Sequence, residues 1–156
     1  MRKATFMNSK KFKYQDYISK LFNCPPDVYK EKEMTAFRWV FSECDINSFK
    51  PVLIIDPVRQ LGDEDKNCEG FALSMFEQED CAYQKYKKLV RNRPHLKNIF
   101  GTMIAEMKIS LNDGVCSNPE INNYLHLNFH EYEETDLLKK IVNIVEIFDE
   151  NGNFKR

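Results

Sequence analysis

Strand-like segments follow one another along this chain without helices between them. Near residue 37 the hydrophobic period becomes two, because Phe37, Trp39 and Phe41 alternate with other residues; this predicts a strand with one buried face. The short apolar run at residues 52–56 predicts a fully buried strand, and residues 71–76 predict a third. Strands that follow each other without crossover helices favour antiparallel pairing.

Three further segments have strand character, and three are expected to be helical. The strands are predicted at residues 102–110, 124–130 and 141–148, with a turn at Asn112-Asp113-Gly114 and loops at residues 59–68 and 115–123. Apolar residues at helical spacing predict a helix at residues 14–22 and a second one along Ala82, Tyr86, Leu89 and Val90, with acids at its start and Pro94 as its stop. Residues 133–140 predict a short third helix. We therefore expect an α+β fold, in which two to three helices pack on a mixed or mainly antiparallel sheet of about five to six strands.

Length and charge set the broad class. The chain has 156 residues, which predicts a single domain over residues 1–156, with residues 1–11 expected to be loose. Its 23 basic and 24 acidic residues nearly cancel, which argues against a protein whose main task is to coat nucleic acid. No segment approaches the ~20 apolar residues of a membrane span, and the N-terminus lacks the apolar part of a secretory signal. We expect a cytoplasmic protein without a membrane partner.

Five cysteines are spread irregularly along the chain, at positions 24, 44, 68, 81 and 116. Their number is odd and no two of them form a C-x-x-C pair, so the sequence predicts reduced thiols rather than a disulfide framework or a zinc site. No cofactor is expected either, since the nucleotide-binding glycine motifs are missing and the chain has only five glycines.

Residues 124–134 hold the densest group of polar side chains. On a strand, Tyr124, His126, Asn128, His130 and Tyr132 would line one face, opposite core-facing leucines and a phenylalanine. Such a row could line the floor of a binding cleft, or it could be a sheet face that is partly solvated. The two histidines would lie about 13 Å apart on a strand, too far to share one ion, so no metal site is expected.

Two glutamates at the end of this row are candidates for acid–base chemistry. Glu131 or Glu133 could work with His126 or His130 as a catalytic pair. In addition, Glu131-x-Glu133 resembles the E-x-E signature of ADP-ribosyltransferases, a family that places a strand arginine and then a strand serine earlier in the chain; Arg38 and Ser74 occur in that order. The resemblance implies Arg38 and Ser74 as substrate-binding residues. Tyr124, Asn128 and Tyr132 are substrate-binding candidates for a separate reason, their place in the polar row.

Basic residues cluster in the long helix and the segment after it. No acid occurs between Tyr83 and Asn98, and Lys85, Lys88, Arg91 and Arg93 could contact nucleic acid or an acidic partner.

Positive evidence for catalysis is thin, so we favour a non-catalytic accessory or macromolecule-binding module with an unidentified protein partner. The alternatives are a small His/Glu enzyme that acts like an ADP-ribosyltransferase, and nucleic-acid contact through residues 82–97.

Overall fold

A single antiparallel sheet of six strands organises the molecule. The computed structural model describes residues 10–59 and 62–156. The sheet has the order β4-β5-β2-β1-β3-β6, and every neighbouring pair is antiparallel. The strands are β1 Met34–Val40, β2 Leu73–Phe76, β3 Met103–Ile109, β4 Gly114–Cys116, β5 His126–Glu131 and β6 Ile141–Glu146. The expected α+β fold with a mainly antiparallel sheet of five to six strands is confirmed.

Five α-helices lie within the described residues, and four of them are short. They are α1 Gln15–Ile18, α2 Val52–Ile55, α3 Glu64–Gly70, α4 Glu79–Asn92 and α5 Lys97–Phe100. Single 3₁₀ turns occupy Ile46–Phe49, Pro94–Leu96 and Leu137–Lys140. None of the helices in the described part of the chain is long and apolar enough to cross a membrane.

Both faces of the central strands are covered by apolar side chains. One core lies on the face of Ala36, Ala105 and Met107, and it also holds Phe49 and Leu137 from the connections. The second core lies on the opposite face, beneath α4. The predicted division of β3 is confirmed, since Ile104 belongs to the second core while Ala105, Met107 and Ile109 belong to the first.

The long helix α4 begins and ends where the sequence predicts. Glu79 and Asp80 lie in its first turn, where the helix dipole favours negative charge, and it ends two residues before Pro94. Its buried residues are Ala82, Tyr83, Tyr86 and Val90. Two hydrogen bonds hold it in place: Trp39 Nε1 donates to the Ala82 carbonyl at 2.8 Å, and the Tyr86 hydroxyl donates to the Gly101 carbonyl at 2.6 Å.

The predicted buried strand at residues 52–56 is wrong, because this segment forms the helical turn α2. Pro51 precedes the turn as its N-cap, with the φ of −61° that its ring imposes. Only Leu53 of the four helical residues is buried, and Ile55 is 62% exposed. A short apolar run of this kind does not distinguish a strand from a helical turn when neighbouring strands are already paired with each other.

Two predicted loops also contain regular structure. Residues 64–68 belong to α3, which the Asp63 carboxylate caps by accepting a hydrogen bond from the Lys66 amide at 2.9 Å. In the predicted loop at residues 115–123, β4 forms the edge of the sheet against β5. Three residues are too few to show a period of two, so this strand has no recognisable pattern of its own.

The predicted helices at residues 14–22 and 133–140 are shorter than expected. The first is limited to α1, and the chain turns at Asn23, which has a left-handed φ of 51°. The second is a 3₁₀ turn at Leu137–Lys140, begun by the Asp136 carboxylate. Of the N-terminal segment predicted to be loose, residues 1–9 lie outside the described part, while the Lys11 carbonyl accepts a hydrogen bond from the Glu133 amide at 2.8 Å.

Gly101 occupies a backbone position that a side chain would not fit. Its φ of 89° is strained for other residues, and an added Cβ would collide with the carbonyl of Val40. Gly152 has a similar φ of 81° but nothing within 4 Å of such a Cβ. We expect Gly101→Ala to lower the free energy of unfolding by roughly 3 kcal/mol or more, and Gly152→Ala by only about 1 kcal/mol. Urea unfolding of both variants checks this, and equal losses would contradict it.

Candidate functional site

The pairing of β2 with β5 brings a serine and a histidine together on one face of the sheet. Ser74 lies opposite Asn128, and Phe76 lies opposite His126, so Ser74 and His126 are diagonal neighbours. The Ser74 hydroxyl oxygen and His126 Nε2 are 3.0 Å apart. Ser74 is exposed, whereas the His126 side chain is only 16% exposed. The serine is therefore exposed while the ring beside it is largely buried.

A third residue, Glu120, contacts the other side of the His126 ring. Its carboxylate oxygen Oε1 lies 2.6 Å from His126 Nδ1 and also accepts a hydrogen bond from Asn123 Nδ2 at 3.2 Å. An ionised carboxylate can only accept a hydrogen bond, so Nδ1 carries the ring proton and donates a hydrogen bond to Glu120. In the neutral ring this leaves Nε2 as an acceptor for the Ser74 hydroxyl. The three side chains form a continuous chain of hydrogen bonds, Ser74 to His126 to Glu120.

A tight loop positions Glu120. The Glu120 amide donates to the His126 carbonyl at 2.8 Å, and the Leu125 amide donates to the Glu120 carbonyl at 3.0 Å. Tyr124 and Leu125 both adopt left-handed conformations, with φ of 56° and 55°. Two consecutive non-glycine residues in this region are uncommon, and such strain is found most often where a local geometry is required. Here it turns the chain back so that Glu120 lies beside His126.

Further hydrogen-bonding groups surround this chain. Asn128 is buried directly opposite Ser74, and its side-chain nitrogen Nδ2 lies 3.5 Å from the Tyr29 hydroxyl. The Ser117 hydroxyl oxygen accepts a hydrogen bond from the backbone amide of Asn128 at 2.9 Å. Burial raises the pKa of Tyr29, so its hydroxyl stays protonated at neutral pH and can donate. The side-chain amide of Asn128, opposite the exposed serine, therefore has a phenol beside it.

Glu131 and Glu133 do not join His126. Side chains alternate along β5, so Glu131 points to the face of the first core, opposite to His126. Glu131 is buried, its pKa is raised by that burial, and Lys13 Nζ pairs with it at 2.9 Å. Its second carboxylate oxygen has no hydrogen-bond partner within the described residues. Glu133 is exposed after the strand and pairs with Lys11 at 3.7 Å.

The residues that resemble the ADP-ribosyltransferase pattern are divided between the two faces of the sheet. Arg38 lies on the same face of β1 as the core residues Ala36 and Val40. Its guanidinium donates to two backbone carbonyls, those of Ser48 at 2.9 Å and Ser74 at 2.8 Å. Arg38 and Glu131 therefore share one face, whereas the Ser74 hydroxyl is on the other. The fold does not gather an Arg–Ser–Glu constellation.

His130 lies at the far end of the same face as His126, in a buried position. Its side chain packs against the rings of Phe12 and Tyr29, and Nε2 is 3.8 Å from the sulfur of Cys68. Burial lowers the pKa of His130 to about 4. Asn128 separates the two histidines along β5, and they do not form a joint site.

Cys68 is bonded to Cys24, which corrects the expectation that all five cysteines are reduced thiols. The two residues are 44 positions apart in the sequence, and the disulfide links the segment before Pro25 to α3. Cys44, Cys81 and Cys116 are free thiols. Cysteine spacing alone does not reveal a pairing across 44 residues, because it depends on how the chain returns on itself.

The remaining predicted residues are placed elsewhere. The Tyr132 hydroxyl donates to Glu31 at 2.7 Å, away from His126. Lys85 and Lys88 lie over the ring of Tyr124, at 5.4 and 5.9 Å from its centre. Arg91 lines a shallow depression of about 290 Å³ with Lys88 and Tyr124, and Arg93 is exposed just after α4.

Of the predicted residues, the fold brings Ser74, His126 and Asn128 together. Glu120 belongs to the same group but was not predicted. The only hint in the sequence was the turn-forming pair Asn122-Asn123 between Glu120 and His126.

No family model matches this chain, and neither a curated protein nor a solved structure is significantly similar to it.

The buried His130 makes stability depend on pH in the disulfide-bonded protein. Its pKa is about 4 when folded against an ordinary value of 6.5, so the unfolded state binds more protons between these two pH values. Stability is therefore lost as pH falls through this window, by about 3 kcal/mol between pH 7 and pH 4 from this group alone.

Urea unfolding of two matched variants isolates that contribution. His130→Gln should show a pH dependence flatter than wild type by about this amount. The exposed His95 serves as the control, and His95→Gln should keep the wild-type slope. Equal slopes for His130→Gln and wild type would contradict the assignment.

Proposed function

We propose that this protein is a hydrolase that transfers acyl groups through Ser74. The observation that carries the proposal is the unbroken chain of hydrogen bonds from the exposed Ser74 hydroxyl through His126 to Glu120. A nucleophile within hydrogen-bonding distance of a base, and that base oriented by a third group, is the arrangement that activates a hydroxyl for nucleophilic catalysis. The sequence predicted a His/Glu enzyme with Glu131 or Glu133 as the carboxylate, and the proposed hydrolase uses Glu120 in their place.

Each residue has a distinct role in the proposed reaction. The Ser74 oxygen attacks the carbonyl carbon of an ester or thioester, while its proton passes to His126 Nε2. Glu120 stabilises the imidazolium that forms, since it accepts the Nδ1 hydrogen bond. The tetrahedral intermediate then collapses, and the leaving group takes the proton from Nε2. Attack by water on the acyl-serine, again with His126 as base, releases the acid and restores the hydroxyl.

The negative oxygen of the intermediate needs a hydrogen-bond donor. Asn128 is the best placed candidate, because it lies directly across the strand pair from Ser74 and carries a side-chain amide. The Tyr29 hydroxyl next to it offers a second donor. Side-chain amides and phenols serve as such donors in other enzymes, where loss of one costs roughly 100- to 1000-fold in rate.

The other two functional expectations remain predictions. No contact of the described residues identifies a protein partner for the module that the sequence favours. The basic residues of α4 are partly occupied, since Lys85 donates to Asn123 at 2.8 Å and Lys87 to the Arg156 carbonyl at 2.6 Å. Neither observation favours these functions over acyl transfer.

Covalent labelling tests the nucleophile directly. A fluorophosphonate probe reacts with activated serines, and we expect it to label wild type once and Ser74→Ala not at all. His126→Gln should slow labelling, and hydrolysis of a p-nitrophenyl ester, by roughly 100- to 10,000-fold, because it removes the general base. Glu120→Gln should cause a smaller loss of rate, since it weakens orientation of the ring but keeps a hydrogen-bond acceptor.

The control is another exposed serine outside this group. Ser42 is exposed as Ser74 is, and Ser42→Ala should be labelled at the wild-type rate. Wild type that resists the probe, or Ser74→Ala that is labelled as fast as wild type, would show that Ser74 is not an activated nucleophile. Circular dichroism of each variant separates loss of the nucleophile from loss of the fold.

A further inference from the structure

Two sulfur atoms and an imidazole nitrogen converge at a second place in the structure. The Sγ atoms of Cys24 and Cys68 and a ring nitrogen of His130 all lie within 4.8 Å of one another. They come from three separate parts of the chain: the segment before Pro25, helix α3 and strand β5. Cys68 and His130 are buried, and Cys24 is half-buried. None of the three belongs to the Ser74–His126–Glu120 chain.

We propose that, when the Cys24–Cys68 disulfide is reduced, these three residues bind one zinc ion. Zinc takes thiolate sulfur at about 2.3 Å and imidazole nitrogen at about 2.0–2.1 Å in tetrahedral geometry. Those bond lengths place a sulfur and a nitrogen ligand roughly 3.6 Å apart. Cys68 Sγ and His130 Nε2 are already 3.8 Å apart. The distance between these two ligands therefore needs little change for an ion to bind.

The surroundings of His130 support its role as a ligand. Among the described residues, the polar contact of its ring nitrogens is with the Cys68 sulfur alone. The rings of Phe12 and Tyr29 pack against the imidazole, with centroids 6.4 and 5.9 Å from its own. Soft thiolates together with imidazole select zinc over magnesium or calcium, which prefer oxygen ligands.

The ion and the disulfide exclude each other. A dithiol reductant supplies two electrons and is itself oxidised to a disulfide; the bond between the two sulfurs breaks and each sulfur takes a proton. Zinc then displaces those two protons as it binds the thiolates. The three protein ligands leave the fourth position to water or another small ligand, whereas structural zinc sites are closed by four protein ligands.

Metal content of the two redox forms of wild type tests the proposal without any substitution. The reduced protein, freed of reductant without air, should retain about one zinc per chain after gel filtration, and the disulfide form should retain none. Cobalt(II) in place of zinc should give the near-ultraviolet absorption of thiolate–cobalt charge transfer, together with the strong visible bands of a tetrahedral ion, in the reduced form only.

Variants then identify the ligands. Cys68→Ser and His130→Gln should each weaken binding of cobalt(II) to the reduced protein at least 10-fold. Cys81→Ser should bind as wild type does, because that half-buried thiol lies outside the cluster. Ser74→Ala should also bind as wild type does, so failure of the hydrolase proposal leaves this one unaffected.

Three outcomes would overturn the proposal. Reduced wild type could take up no cobalt(II) or zinc at micromolar concentrations, or Cys68→Ser could bind as tightly as wild type. Reduced wild type could also lose its native circular dichroism even with zinc present, because the three ligands converge only in the folded chain.

Discussion

The pairing of β2 with β5 is the interaction on which the rest of the structure depends. Strand β2 has only four residues, yet it joins the β4–β5 edge to the β1–β3–β6 part of the sheet. Its register places Leu73 and Met75 in the first core, while Ser74 faces the other way. A slip of one residue would bury Ser74 and expose the two apolar side chains, so the core itself keeps the serine beside His126.

Side chains alternate along β5, so that its apolar residues lie on one face of the sheet and its histidines and asparagine on the other. Leu127 and Phe129 complete the first core, and the intervening residues present a histidine, an amide and a second histidine on the opposite face. That face is neither an open solvated surface nor a single site. At one end of this face His126 is hydrogen-bonded to the Ser74 hydroxyl, whereas at the other end His130 lies beside a disulfide. The proposed catalytic and metal-binding groups are therefore separate, although one strand supplies both.

Much of the fold and part of the site could be predicted from the sequence. The period of two found β1, β3 and β5, and the helical spacing with Pro94 found α4, because these elements are long enough to repeat their pattern. The row of His126, Asn128 and His130 followed from the same alternation. The four-residue turn α2 and the three-residue strand β4 could not be predicted in this way, since neither repeats a period.

What the sequence by itself determined are local properties: which residues alternate, which face of β5 is polar, where proline ends a helix. Tertiary structure alone decided the partners across that face. Glu120 reaches His126 through a loop with two left-handed residues, and Cys24 reaches Cys68 across 44 residues. Side-chain periodicity is set by the geometry of a single strand or helix, whereas these contacts depend on where separate segments pack, and the burial of the whole core determines that.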